Sequence, residues 1–286
     1  IFDGEKYGLH KRVFVTKEGY ATYEGKEMGL GPLQYKEFPF DMAIHVVGPE
    51  QAGYFAVTFK ALELVEPVLR GKEKHLSYGL VQLKEGKMSS RMGNVISGLW
   101  LLEETKRLLA KEFPSMPDEV LEHVDIGAVK YSMLRVGLSQ NIHFSFKDSI
   151  SLEGNSGPYL QYTYARTQSV LAKSGIRNPE SESNSKTKDR KSKLVITDYQ
   201  LQPEEVTLLR LLHRFPEVVE MAAEEFAPNL LCNYLFDLAQ KFNLFYQKHP
   251  ILKSQSSDFR LALTTSIGQV IKNGLEILAI AAPQRM

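Results

Sequence analysis

HLSYGLVQLKEGKMSSRMGNVISGLWLLEETKRLLAKEF (75–113) decides how the first half of the chain folds. In its opening, HLSYGLVQL (75–83), Leu76, Tyr78 and Leu80 alternate on one face and Val81 and Leu83 on the other, which predicts a strand. Its close, GLWLLEETKRLLAKEF (98–113), has the spacing of an amphipathic helix. Between them EGKMSSRMGNV (85–95) is too polar for a core strand and too rich in glycine for a stable helix, so it reads as a loop. Upstream, AIHVV (43–47) reads as a buried strand ending at Gly48. QAGYFAVTFKALELVEPVL (51–69) then sets Phe55, Phe59 and Leu62 at helical spacing, and Pro67 marks its end. Strand, helix, strand, loop, helix is the rhythm of a doubly wound α/β sheet.

The loop has a chemistry of its own. Lys87 offers an ammonium on a long stem, and Ser89 and Ser90 offer hydroxyls and backbone N–H groups. Gly86 and Gly93 let the backbone bend. Such groups suit a polyphosphate whose charge moves toward a leaving pyrophosphate. The plainer reading is a solvated turn, but a position after a strand and before a helix is where α/β sheets bind ligands.

From Tyr159 onward only helical periodicity is found. Helices are predicted over 158–175, about 203–226 with a disturbance at Pro216, about 229–247 and about 257–280. RNPESESNSKTKDRKSK (177–193) has no large apolar residue and reads as a solvated, disordered linker. Lys plus Arg is 35 against 34 for Asp plus Glu, so nucleic-acid binding would need local patches rather than bulk charge. One cysteine, Cys232, excludes an intrachain disulfide and a thiolate metal cluster, and fits a reducing compartment. The histidines lack metal-ligand spacing, so no metal site is assigned. No apolar run reaches the roughly 18–20 residues of a membrane span, and the start lacks a signal peptide's apolar stretch.

KMSS resembles the KMSKS loop of class I aminoacyl-tRNA synthetases. HVVGPEQAGYF (45–55) is similar to a segment of the arginyl-tRNA synthetase family ending in Gly-x-Asp-Gln. EGNSGPYLQYTYAR (153–166), NYLFDLAQKFNLFYQ (233–247) and NGLEILAIAAPQRM (273–286) resemble further ordered segments of that family. The resemblance implies a partial Rossmann-type catalytic domain over 1–152, then an all-α anticodon-binding bundle of DALR type over 153–286. It implies ATP-dependent activation of arginine and its transfer to tRNA(Arg), with ATP entering as its Mg²⁺ complex. Lys87, Ser89, Ser90 and Arg91 would serve the catalytic loop. Gly48, Glu50, His75, Val81, Lys87 and Met88 would frame ATP. Tyr23, Glu27 and Gln51 would hold arginine. Tyr159, Tyr162, Arg166, Arg285 and Met286 would face tRNA, the two tyrosines by stacking on splayed bases unless they are core. A cytoplasmic monomer is expected.

Two positions depart from the family. Ser90 stands at the second lysine of KMSKS, with Arg91 next as a replacement cation, and Glu50 stands for the Asp, one methylene longer. The family's HIGH motif is not in the chain; HVVG (45–48) matches the later segment instead. The chain is therefore expected to be the C-terminal part of a synthetase. A tRNA-binding module with an incomplete catalytic half and another class I synthetase, such as the cysteinyl one, are the alternatives. Assayed alone, the 286-residue chain is expected to give no arginine-dependent pyrophosphate exchange above background.

Overall fold

Small and β-branched residues make Ala43–Val47 a strand, β1, which runs parallel to Glu73–Ser77, β2, with Ala43 opposite Glu73 and Val47 opposite Ser77. Parallel strands need a crossover. Here it is a 3₁₀ turn, Pro49–Gln51, followed by a helix at Ala52–Val65. That helix is α2; α1 is Tyr23–Glu37, and the two pack together. The computed structural model describes residues 1–84, 97–175, 199–252, 254 and 256–286. The Lys87–Arg91 part of the loop and the 177–193 linker lie outside the described residues.

Two sequence expectations change here. β1 is not buried on both sides: Ile44 and Val46 are 43% and 59% exposed. α2 covers the face carrying His45, and the face carrying Ile44 and Val46 is left largely exposed. The strand expected over 75–83 is also broken into β2 and Val81–Leu83, β3, which pairs with Ile142–Phe144, β4. The break falls at Gly79, where a Cβ would stand 2.0 Å from the Gln140 carbonyl oxygen. Only glycine allows that approach. Gly79 N–H donates to the Leu138 carbonyl at 2.7 Å, and Leu80 N–H to Asn141 Oδ1 at 2.9 Å.

The described chain divides into two units, Ile1–Val81 with Leu138–Ile142, and Gln82–Gly137 with His143–Met286. The helices of the second unit are α3 (Gly98–Glu112), α4 (Asp118–Leu134), α5 (Phe146–Ser149), α6 (Gly157–Lys173), α7 (Pro203–Glu224), α8 (Pro228–Lys248) and α9 (Ser257–Ile277). Ser97 and Ser156 cap α3 and α6, accepting from Trp100 N–H and Tyr159 N–H at 3.1 Å each. α4 packs on α3 and α6, which ties the connecting helices into the bundle. α7 runs through Pro216 without the expected interruption. Its apolar face packs along α8, and that burial outweighs the missing N–H.

The bundle core is formed by Leu160, Leu208, Leu235, Phe242, Phe245 and Ile267, all without solvent contact, together with their buried neighbours. One ionic node lies inside it. Glu205 closes the capping box at Gln202 N–H (2.8 Å) and accepts from Tyr199 Oη (2.7 Å) and Arg260 Nε (2.8 Å). Burial opposes its charge, but these three donors outweigh it and hold its pKa below the ordinary value. Cys232 is buried too, and burial pushes its thiol up to about 12. No helix among the described residues is long and apolar enough to cross a membrane.

Asp125, in α4, is a less settled group. It is 4% exposed, and its Oδ1 has no hydrogen-bond partner among the described residues. Burial pushes its carboxyl up to about 6, against the opposing pull of Lys106. A raised carboxyl pKa means that ionisation destabilises the fold. The penalty is complete above pH 6 and disappears as pH falls toward the unfolded value near 4. Asp125→Asn should therefore stabilise the chain at pH 8 by on the order of 2 kcal/mol, and the gain should vanish near pH 4. Urea unfolding at the two pH values measures it.

Candidate functional site

In the first unit a run of contacts leads from β2 to the start of α1. His75 Nε2 lies 3.0 Å from the Val47 carbonyl oxygen. A carbonyl only accepts, so Nε2 carries the proton. The His75 ring stacks on Phe55 at 4.7 Å, and Phe55 also meets His45 at 5.3 Å. The last residue of β1 is thereby held from the neighbouring strand. Gly48 follows in extended conformation, and the Glu50 carboxylate folds back against it, its oxygens 2.6 Å from where a Cβ would stand. Gln51 ends the turn half-buried.

Three residues beyond Gln51, α2 carries Tyr54. Its ring lies 4.9 Å from that of Tyr23, and its hydroxyl donates to the Tyr23 carbonyl at 3.4 Å. Burial, followed by the nearby Glu27 carboxylate, pushes the Tyr54 hydroxyl well above the usual tyrosine range, so it stays a donor. Tyr23 is 61% exposed and Glu27 is half-buried. α1 starts here because Thr22 caps it, accepting from Gly25 N–H at 3.3 Å and donating to the Val13 carbonyl at 2.7 Å. Tyr23 and Glu27, four apart, do share a helix face, despite the three glycines and Pro32 inside α1.

Of the residues expected to frame ATP, Gly48, Glu50 and His75 stand around one turn, and Val81 is half-exposed at the start of β3. His75 spends its Nε2 proton on Val47, so within this unit it supports the turn rather than presenting a free edge. Lys87, Met88, Ser89, Ser90 and Arg91 lie outside the described residues.

The second unit holds a cleft of about 960 Å³ whose lining includes Tyr162, Arg166, Tyr246, Arg285 and Met286. The Arg166 guanidinium lies between two rings, 4.8 Å from Tyr162 and 5.1 Å from Tyr246. It donates to the Tyr162 hydroxyl at 3.1 Å and to Asn243 Oδ1. Asn243 in turn donates to Tyr159 Oη at 2.9 Å and Thr163 Oγ1 at 3.0 Å. Tyr159 is thus a correction: it is buried edge-on to Phe236 and supports the cleft from behind, with no ring face open for stacking. The C-terminal tail reaches the cleft because Gln161 donates to the Ala281 carbonyl at 2.8 Å and Lys130 to that of Ala279 at 2.5 Å. Met286 packs beside Leu109, Leu121 and Val124, and Arg285 stays exposed.

Sequence reasoning missed Tyr54, Tyr246 and Asn243. Tyr246 had a usable signal, since it lies within the family-like segment 233–247. Asn243 lies in the same segment, but its role depends on packing from α6, which the segment does not reveal.

Residues 3–146 match the family described as tRNA synthetases class I (R), catalytic domain, and residues 160–286 match the DALR anticodon binding domain. Among curated proteins, arginine–tRNA ligase of Bacteroides thetaiotaomicron is 34% identical over 98% of the chain and 47% of its own length. That of Porphyromonas gingivalis is 31% identical over 99% of the chain and 48% of its own length. The chain thus spans about half the length of the curated relatives it matches. Among solved structures, Thermus thermophilus arginyl-tRNA synthetase superposes with a TM-score of 0.77 at 28% identity, covering 96% of this chain and 51% of that one.

Asn243→Ala removes the acceptor of Arg166 and the donor to two buried hydroxyls. It should cost about 2 kcal/mol in urea unfolding, whereas Tyr246→Ala, at the half-exposed wall of the cleft, should cost less than about 1 kcal/mol.

Proposed function

We propose the following role for this chain, which belongs to the class I arginyl-tRNA synthetase family: it is the part of an arginine–tRNA ligase that completes the activation site and reads the anticodon arm. Two steps are involved. A carboxylate oxygen of arginine attacks the α-phosphorus of ATP, and the bond from that phosphorus to the leaving pyrophosphate breaks, giving arginyl-adenylate. A hydroxyl of the terminal ribose of tRNA(Arg) then attacks the arginyl carbonyl, and AMP leaves. No bond to the enzyme forms, so the protein contributes alignment and charge stabilisation.

The observation that carries the reading is the contact of Tyr23 with Tyr54, on the helix that follows Gln51, with Glu27 one turn of α1 beyond Tyr23. An aromatic face, a carboxylate and an amide are the partners a flat guanidinium needs. Lysine, a compact and strongly hydrated ammonium, leaves such partners unfilled. Gly48, Glu50, Val81 and Met88 frame the nucleotide, and His75 steadies the turn that begins at Gly48. Lys87, Ser89 and Ser90 grip the phosphates, with Arg91 in place of the family's second lysine. ATP enters as its Mg²⁺ complex. Tyr162, Arg166, Arg285 and Met286 receive the anticodon loop of tRNA(Arg). The protein acts as a cytoplasmic monomer.

The test is pyrophosphate exchange across the twenty amino acids, with and without tRNA, using the protein encoded by the complete reading frame. Arginine alone should support exchange, and Lys87→Ala should lower kcat by about 10²-fold while changing the KM for arginine less than about threefold. Exchange driven by another amino acid would overturn the assignment. A Lys87→Ala effect confined to KM would remove Lys87 from the transition state.

A further inference from the structure

The N-terminal segment crosses the first turn of α1 at close range. A Cβ on Gly25 would stand 2.2 Å from the Phe14 carbonyl oxygen, so helix and segment touch backbone to backbone. This brings Arg12 onto α1. Its Nη1 donates to Glu24 Oε1 at 3.0 Å, and its guanidinium lies 5.9 Å from the Tyr54 ring centre. The Glu24 side chain is 12% exposed. Burial works against its charge, but its own backbone N–H, Arg12 and Thr22 outweigh that and keep it ionised below the ordinary carboxylate range.

Arg12 thus joins Glu24 to the Tyr54 ring, which lies against Tyr23, and Glu27 follows Glu24 one turn later in α1. Arg12 neutralises Glu24, while Glu27 has no ion-pair partner among the described residues. An unneutralised pair of carboxylates would attract any cation by charge alone, whatever its shape. A single carboxylate beside an aromatic face leaves shape to decide, and that favours a planar, weakly hydrated cation over an ammonium.

We propose that Arg12 is a specificity-determining residue: by pairing with Glu24 against Tyr54, it leaves Glu27 to define a subsite for one flat monocation. Arg12 is a positioning residue and does not touch the substrate. The proposal rests on the reading of Tyr23, Glu27 and Gln51 as the amino-acid subsite.

The readout is the ratio of kcat/KM for arginine to that for lysine, taken from pyrophosphate exchange by the complete protein with tRNA present. Arg12→Gln frees Glu24 and should lower the ratio at least about tenfold, chiefly by raising the lysine value. Arg12→Gln with Glu24→Gln removes both charges and should return the ratio to within about threefold of the parent. A purely structural brace would not be rescued this way. An unchanged ratio in Arg12→Gln, or a double variant no better than the single, overturns the proposal. If thermal melting finds Arg12→Gln unfolded, the double variant decides: parental discrimination supports the proposal, and a tenfold loss overturns it. Glu27→Gln separates the two levels. A KM for arginine raised about tenfold or more upholds the subsite, so that a null result from Arg12 then sinks only this proposal; an unchanged KM sinks both.

Discussion

Phe55 lies between two histidine rings, 5.3 Å from His45 and 4.7 Å from His75, and the first unit is organised around that contact. The two histidines stand opposite one another in neighbouring parallel strands. Phe55 belongs to the helix that joins those strands, so one side chain fixes the crossover against both. His45 is further tied to Glu73 at 2.7 Å and His75 to Val47 at 3.0 Å. Without this anchorage the turn at Gly48 would have no fixed origin, and Gln51 and Tyr54 no fixed distance from α1. Stacked rings contribute about 0.5–1.5 kcal/mol beyond their burial, so three in contact are a substantial local restraint.

The second unit applies the same logic with polar groups. Arg166 could adopt many rotamers on a free helix. Asn243 and the rings of Tyr162 and Tyr246 reduce them to one, and Tyr159 and Thr163 fix Asn243 from the core side. A cation held in advance between aromatic faces loses less freedom on binding. The buried node of Glu205, Tyr199 and Arg260 does not face this cleft; it locks the start of α7 to the start of α9. Holding the Arg166 cation and joining α7 to α9 are thus tasks of different networks in one bundle.

Much of the architecture was legible in the sequence. The helix read at 98–113 is Gly98–Glu112, that at 158–175 is Gly157–Lys173, and that at 229–247 is Pro228–Lys248. Each has a strong 3.6-residue pattern and a capping serine or a first-turn proline. The misses depend on partners distant in sequence. The strand read at 75–83 breaks at Gly79 because residues 138–141 cross it. AIHVV looked uniformly apolar, yet only its covering helix determines which face is buried. Tyr159 and Tyr162 were equivalent by spacing, and packing alone sends one to the core and the other to the cleft. Arg12 and Glu24 are twelve residues apart, and no local pattern couples them. The signature loop was legible because its residues are contiguous, although it lies outside the described residues.

The state of Cys232 has a practical consequence. It is the sole thiol in the sequence, fully enclosed between helices and reluctant to ionise. Maleimide and iodoacetamide chemistry requires an accessible thiolate, so the native chain is effectively inert to both. A cysteine engineered at Arg285 or at Tyr246 would then be the single reactive handle, with no need to delete the natural one. Fluorophores or spin labels could in that way follow the tail and the cleft separately on an otherwise unaltered background.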